Sequence, residues 1–159
     1  MPNFALQDRS ADWAAQAPIV VSRSFPVAAP PDQVFELMGD ITGWSNWFDG
    51  MRKVRHDLGP AGGVGAVRTV WVGTTRVQER FIVWEPGHRM SFVLTTMSVP
   101  GLVAMVEDYV LEPNGPAGTT VKVTIGVEGG AIFKRIPGVV RSIIGSSTKG
   151  ITGLSKKFG

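Results

Sequence analysis

From Ile19 to Glu128 the chain alternates apolar and polar residues in short runs broken by Gly, Pro and Asn, the period-two pattern of strands joined by tight turns. Seven strands are predicted: Ile19–Val27, Arg52–Leu58, Val64–Val72, Thr75–Trp84, Arg89–Met97, Val103–Glu112 and Thr119–Glu128. The turns between the last five are of hairpin length, which predicts a meander of antiparallel strands. After the first strand, Pro31 at a first helical position and Asp32 in the first turn open a short helix with Val34, Phe35 and Met38 on its apolar face, and Gly39 ends it. Asp40 or Thr42 can cap a second short helix through Gly43–Phe48. From Ala131 the period lengthens: Ile136, Val140, Ile143, Ser147, Ile151, Leu154 and Phe158 recur every three or four residues, predicting one terminal helix to Phe158. Gly138, Gly145, Gly150 and Gly153 each cost that helix about 1 kcal/mol relative to Ala, so packing against the strands must hold it, with the glycines allowing close approach.

These elements make an α+β domain over residues 18–159: a seven-stranded curved antiparallel sheet around a long C-terminal helix, with two short helices after strand one. Residues 1–17 are expected to form an N-terminal arm. They mix Asp8, Arg9 and Asp12 with no long apolar run, which is neither a signal peptide nor a membrane span, and a cytoplasmic protein is expected. A chain of 159 residues can bury a core without staples, and the absence of cysteine removes thiol chemistry and disulfides. His56 and His88 share no ligand spacing, so neither a metal site nor another cofactor is expected. Gly59–Ala66 is glycine-rich but runs into a strand rather than a helix, which makes it a hairpin loop and not a phosphate cradle. All 13 acidic residues precede residue 129, whereas Lys134, Arg135, Arg141, Lys149, Lys156 and Lys157 follow it. Their face of the helix is either solvated or a docking surface for an anionic membrane or an acidic protein. Aromatic and basic residues do not interleave along a strand, so nucleic acid is not an expected partner.

The order of elements, together with APPDQVFELMGDITGWSNW after Pro26, VGAVRTVW, RFIVWEPGHRMSF, YVLEPNGPAGTTV and KGITGLSKKF, resembles the SRPBCC superfamily. These are the START-like, Bet v 1-like helix-grip proteins, among them polyketide cyclases and lipid-transport modules. The resemblance runs from about Ile19 to Phe158 and implies an internal cavity between sheet and helix. It leaves the contents open.

Taking the more apolar alternation as inward, the fourth strand points Val77, Glu79, Phe81 and Val83 at the helix, and the sixth points Met105, Glu107, Tyr109 and Leu111. On the third strand either Arg68, Val70 and Val72 or Val67, Thr69 and Trp71 face inward, and Arg68 is the favoured choice. A buried guanidinium needs a partner, which Glu79 or Glu107 can supply. Arg68 then anchors a carboxylate, phenolate or carbonyl of an apolar ligand, Tyr109 donates a hydrogen bond and a glutamate serves as acid or base. Alternatively Arg68 and a glutamate simply pair near the sheet rim. The superfamily's aromatase/cyclases are thought to use an arginine on this strand with hydroxyl-bearing neighbours, and that resemblance makes Arg68 and Thr69 the positions to test; the residues themselves offer Arg68, Glu79 and Tyr109 as catalytic candidates. Trp44, Trp47 and Trp71 would wall the mouth and Met90, Phe92 and Met105 the interior, with Phe81, Ile143 and Ser147 as further ligand-binding candidates, although any of these can equally be core. The leading expectation is a carrier or binding protein for a hydrophobic aromatic, polyketide-like or acyl molecule. The runner-up is a polyketide cyclase, aromatase or dehydratase, and the third is peripheral docking through the basic helix.

Overall fold

The computed structural model describes residues 2–159; the side chain of Ser147 lies outside the described residues. The strands are β1 (Phe4–Ala5), β2 (Ile19–Val27), β3 (Met51–Leu58), β4 (Val67–Val72), β5 (Thr75–Glu85), β6 (Arg89–Met97), β7 (Leu102–Pro113) and β8 (Thr119–Gly129). The helices are α1 (Pro31–Gly39), α2 (Pro137–Ser147) and α3 (Gly153–Lys157), and four 3-10 turns cover Ala11–Ala15, Gly43–Asn46, Phe133–Arg135 and Thr148–Thr152.

One curved antiparallel sheet runs in the order β2-β8-β7-β6-β5-β4-β3. Strands adjacent in sequence from β3 to β8 are adjacent in space, as their short turns require. β2 closes beside β8, so the segment joining β2 to β3, which carries α1 and the Gly43–Asn46 turn, must cross from one edge of the sheet to the other. Val121, Val123, Ile125 and Val127 of β8 are all buried on the face that meets the helices, the alternation expected of them. Pro31 occupies the first turn of α1, and Val34, Phe35 and Met38 are buried, while the second expected helix is reduced to the 3-10 turn Gly43–Asn46.

Three expectations are corrected. The terminal segment is not one helix: α2 ends at Ser147, a 3-10 turn follows and α3 restarts at Gly153. The cause is local. A Cβ on Gly153 would lie 1.7 Å from the Trp47 carbonyl oxygen, and one on Gly150 would lie 2.3 Å from that of Asp49. The chain therefore presses backbone against backbone here, and the turn resets the phase of the apolar stripe. On β5 a register shift between Phe81 and Val83 turns Trp84, rather than Val83, onto the core face, where its ring meets Phe35 and Phe81 at centroid distances of 5.4 Å each. Finally, the arm contributes a strand of its own, making eight: Phe4 and Ala5 pair with Met97 and Thr96 of β6.

Candidate functional site

The terminal helices α2 and α3 do not sit centrally over the sheet. They close on the β2 edge, where Arg23 donates to the Gly145 carbonyl at 3.2 Å and the Ser155 hydroxyl donates to that of Pro26 at 2.7 Å. On the other side, between α2 and strands β4 to β7, a cavity of about 360 Å³ remains. Its walls are Val70 and Val72 of β4, Thr75, Val77 and Glu79 of β5, Phe92, Leu94 and Met97 of β6, and Leu102, Met105 and Glu107 of β7. Val140, Ile143 and Ile144 of α2, with Phe133 and Thr148, line the helix side, and Trp44 and Phe48 enter from the segment before β3, with Met51 at the start of that strand. Val99 and Pro100 of the β6–β7 turn complete the lining. Thr75, Glu79, Glu107 and Thr148 are the polar side chains among these residues; the rest are apolar.

Arg68 faces inward with Val70 and Val72, opposite Glu79 in the β4–β5 register. It is fully buried, yet it lies behind the cavity wall rather than in it. Its Nε donates to Glu79 Oε2 and its Nη1 to the Ile41 carbonyl, each at 2.7 Å. The guanidinium carbon stands 4.1 Å from the Trp44 ring centroid, 5.0 Å from that of Phe81 and 5.3 Å from that of Phe92. Nη2 has no hydrogen-bond partner among the described residues, and the electron-rich ring faces are what offset its charge. Trp44 is fixed in turn by its indole N–H, which donates to the Met38 carbonyl at 2.7 Å.

Glu107 lines the cavity and accepts the Tyr109 hydroxyl at Oε1 at 2.5 Å. Burial, reinforced by the negative charge of Glu79, pushes the Glu107 carboxyl up to about 8. Burial also raises Glu79, against the opposing pull of Arg68, and raises Tyr109 well above its ordinary value. One guanidinium serves two carboxyls. Arg68 reaches Glu79 and makes no hydrogen bond to Glu107, so Glu107 holds its proton below about 8, giving the cavity a group able to donate or accept one.

The residues singled out from the sequence divide accordingly. Trp44, Glu79, Phe92, Met105, Glu107 and Ile143 line the cavity. Trp47, Arg68, Phe81 and Tyr109 are buried around it without lining it. Trp71 is corrected outright: it lies on the opposite face of β4, under Lys53 at 4.8 Å and Arg55 at 5.4 Å, because alternation sends it away from Val70 and Val72. Phe133 and Thr148 were missed, although the segment from Ala131 that carries the helical stripe contains both.

A family model described as "Polyketide cyclase / dehydrase and lipid transport" matches residues 18–159. An uncharacterized protein of Mycobacterium tuberculosis is 33% identical over 94 residues, 58% of this chain and 56% of that one, so the chain spans about half the length of the curated relatives it matches. Among solved structures, a START superfamily protein of Mycobacterium smegmatis is similar with a TM-score of 0.73 at 15% identity, covering 87% of this chain and 96% of that one. The Zhui aromatase/cyclase of a Streptomyces species gives 0.69 at 17% identity, covering 86% and 92%. At these identities the likeness to solved structures is one of fold.

Proposed function

The chain belongs to the polyketide cyclase/dehydrase and lipid transport family, and on that premise we propose that it binds one compact hydrophobic molecule, aromatic, polyketide-like or acyl, between its sheet and α2. The observation that carries this reading is the apolar cavity of about 360 Å³. That volume lies at the lower end of the range of about 300–1,000 Å³ for small-molecule sites, so it suits a single compact guest. The test is binding of the neutral fluorophore N-phenylnaphthylamine, with native mass spectrometry of freshly purified protein. The parent should bind the dye, and Val140→Trp, which fills the space, should weaken binding about tenfold or more while the protein stays folded. If the parent neither binds the dye nor carries a co-purifying ligand, the reading fails.

Catalysis on a chain folded into the same cavity is favoured by the hydrogen-bonded Glu107 and Tyr109 at its wall. In that reading Glu107 exchanges a proton with the bound chain, Tyr109 steadies it, and Arg68 and Glu79 set its charge from behind. Turnover of a poly-β-keto substrate should then disappear in Glu107→Gln while dye binding persists; unchanged turnover would remove Glu107 from the chemistry.

The rim supports docking to an anionic lipid surface. Ile132, Ile136, Val139 and Ile143 are 75%, 39%, 52% and 59% exposed, beside exposed Lys134, Arg135 and Arg141 on a segment without acids. Ile143 belongs both to this patch and to the cavity lining, so a greasy ligand could pass from bilayer to cavity without crossing water. Co-sedimentation with phosphatidylglycerol vesicles should exceed that with phosphatidylcholine, fall with salt, and drop in Val139→Asp. Equal binding to both lipids, or self-association through this face instead, would dispose of the docking role.

A further inference from the structure

The charged side chains that meet the cavity are both carboxyls. No Lys, Arg or His is among the described lining residues. Arg68, the nearby cation, lies behind the wall, bound through Nε to Glu79 and through Nη1 to the Ile41 carbonyl and packed among three rings, with Nη2 alone unpartnered among the described residues. A carboxylate or phosphate entering here would meet two groups able to carry its own sign and no cation in the described lining. Glu107, by contrast, is held through Oε1 alone, and its Oε2 accepts nothing from the described residues. Trp44 and Phe92, which line the same cavity, stand 6.0 Å apart beside this wall.

We propose that the cavity selects an apolar ligand bearing one primary or secondary amine, seated as an ammonium on Glu107 Oε2 beside the rings of Trp44 and Phe92, and that it rejects apolar acids. This rests on the ligand-binding reading above. The proton balance is closed: an ammonium ion that enters displaces the Glu107 proton to solvent, or a neutral amine that enters takes that proton, and the product is the same ion pair. The net charge of the buried cluster is the same in both states: neutral Glu107 before, and a carboxylate with its ammonium after. An isolated charge would be expelled from such a site; a matched pair over aromatic faces is tolerated.

The groups facing Glu107 are Glu79 from β5, Arg68 from β4 and Tyr109 on its own strand. β6 and β8 present Phe92 and Ile125 at the paired positions, and α2 contributes Val140, Ile143 and Ile144 to the same space. Arg23 of β2 is turned to the Gly145 carbonyl. The proton that leaves on ammonium binding is therefore that of Glu107, and ammonium affinity should climb with pH until Glu107 ionises unaided, near 8.

Isothermal titration of the whole chain with naphthylmethylamine, naphthylmethanol and naphthoate tests this. The amine should bind about tenfold or more tighter than the alcohol, and the acid more weakly than either. Amine affinity should rise between about pH 6 and about pH 8, with proton release read from buffers of different ionisation heat, while the alcohol stays flat. Glu107→Gln should abolish the preference, bringing amine and alcohol to within about threefold of each other. Should that variant not fold, the contrast between amine and alcohol pH profiles in the parent decides. An acid binding as tightly as the amine, or an amine preference that survives Glu107→Gln, overturns the proposal while leaving the cavity a binding site. If none of the three ligands nor the neutral dye binds, the ligand-binding reading falls as well.

Discussion

Arg68 and Glu79 face each other across β4 and β5 with almost no exposure to water, so their value to the fold depends on neither being left alone. Desolvating two charges roughly cancels their attraction, but removing one partner strands the other in a medium that cannot solvate it. Arg68→Met should therefore cost about 3–5 kcal/mol in urea unfolding, and Arg68→Met combined with Glu79→Leu should recover most of that loss. Additive costs in the double variant would mean that the pair is not coupled. Glu107 makes a second prediction, in pH. Its carboxyl sits at about 8 in the folded chain against about 4.5 when unfolded, so between those values the folded state holds a proton that the unfolded state has lost. Stability is then fully present below the lower value and drains as pH rises toward 8, by at most about 1.4 kcal/mol per pH unit. Glu107→Gln should flatten that slope and gain on the parent as pH rises from about 5 to about 8, as melting curves across the range would show. Alternation alone could place Arg68 and Glu79 on one face. It could not show which oxygen each nitrogen meets, or that Trp44, from a segment well before β4, would lie over the guanidinium. Trp71 shows the opposite hazard: a tryptophan one residue from an inward position is drawn to the outer face by the pleat, where two cations cover it.

At the scale of elements, the terminal segment separates two kinds of glycine that look alike in sequence. Gly150 and Gly153 exist for contact, with their α-carbons against the backbone of Trp47 and Asp49, whereas a Cβ on Gly138 or Gly145 would meet nothing within 4 Å. Gly145→Ala should stabilise by about 0.5–1 kcal/mol, because it restrains the unfolded chain and improves α2 without touching a neighbour. Gly153→Ala should destabilise by about 1–3 kcal/mol or more, since the Trp47 carbonyl would have to move. Thermal denaturation of the two variants beside the parent checks this, and equal shifts of the same sign would refute it. The three-to-four spacing made the helical stripe legible, and Val140, Ile151 and Leu154 are indeed buried. The break was not legible, because it is dictated by the Trp47–Asp49 backbone coming from another part of the chain.

The whole molecule is held together in a way that the sequence concealed, because residues 1–17 carry too little pattern to predict a role. β6 and β7 pair as far as Val93 with Val106 and then part. The arm enters the gap: Phe4 and Ala5 pair with β6, Leu6 N–H donates to the Thr95 carbonyl at 2.9 Å, and Gln7 N–H donates to that of Val103 at 2.8 Å. Beyond it, Trp13 and Ala14 cover Val93 and Val106 on the outer face of the sheet. Ion pairs from Arg80 to Asp8, Arg9 to Glu128 and Arg89 to Asp12 run alongside, but these are exposed enough to add little. The gap is the stretch of sheet whose inner face holds Leu94, Met97, Leu102 and Met105, all of them cavity wall. An arm that supplies the missing backbone hydrogen bonds therefore stiffens the wall from behind, and its two contributions can be separated. Trp13→Ala removes outer-face burial alone and should lower the melting temperature while leaving dye affinity within about twofold. Deleting residues 2–8 opens the seam between β6 and β7, and should weaken dye binding several-fold even at temperatures where the shortened chain stays folded, with faster amide exchange along the facing stretches of β6 and β7. Unaltered affinity and exchange in that deletion would mean that β6 and β7 keep the wall without help.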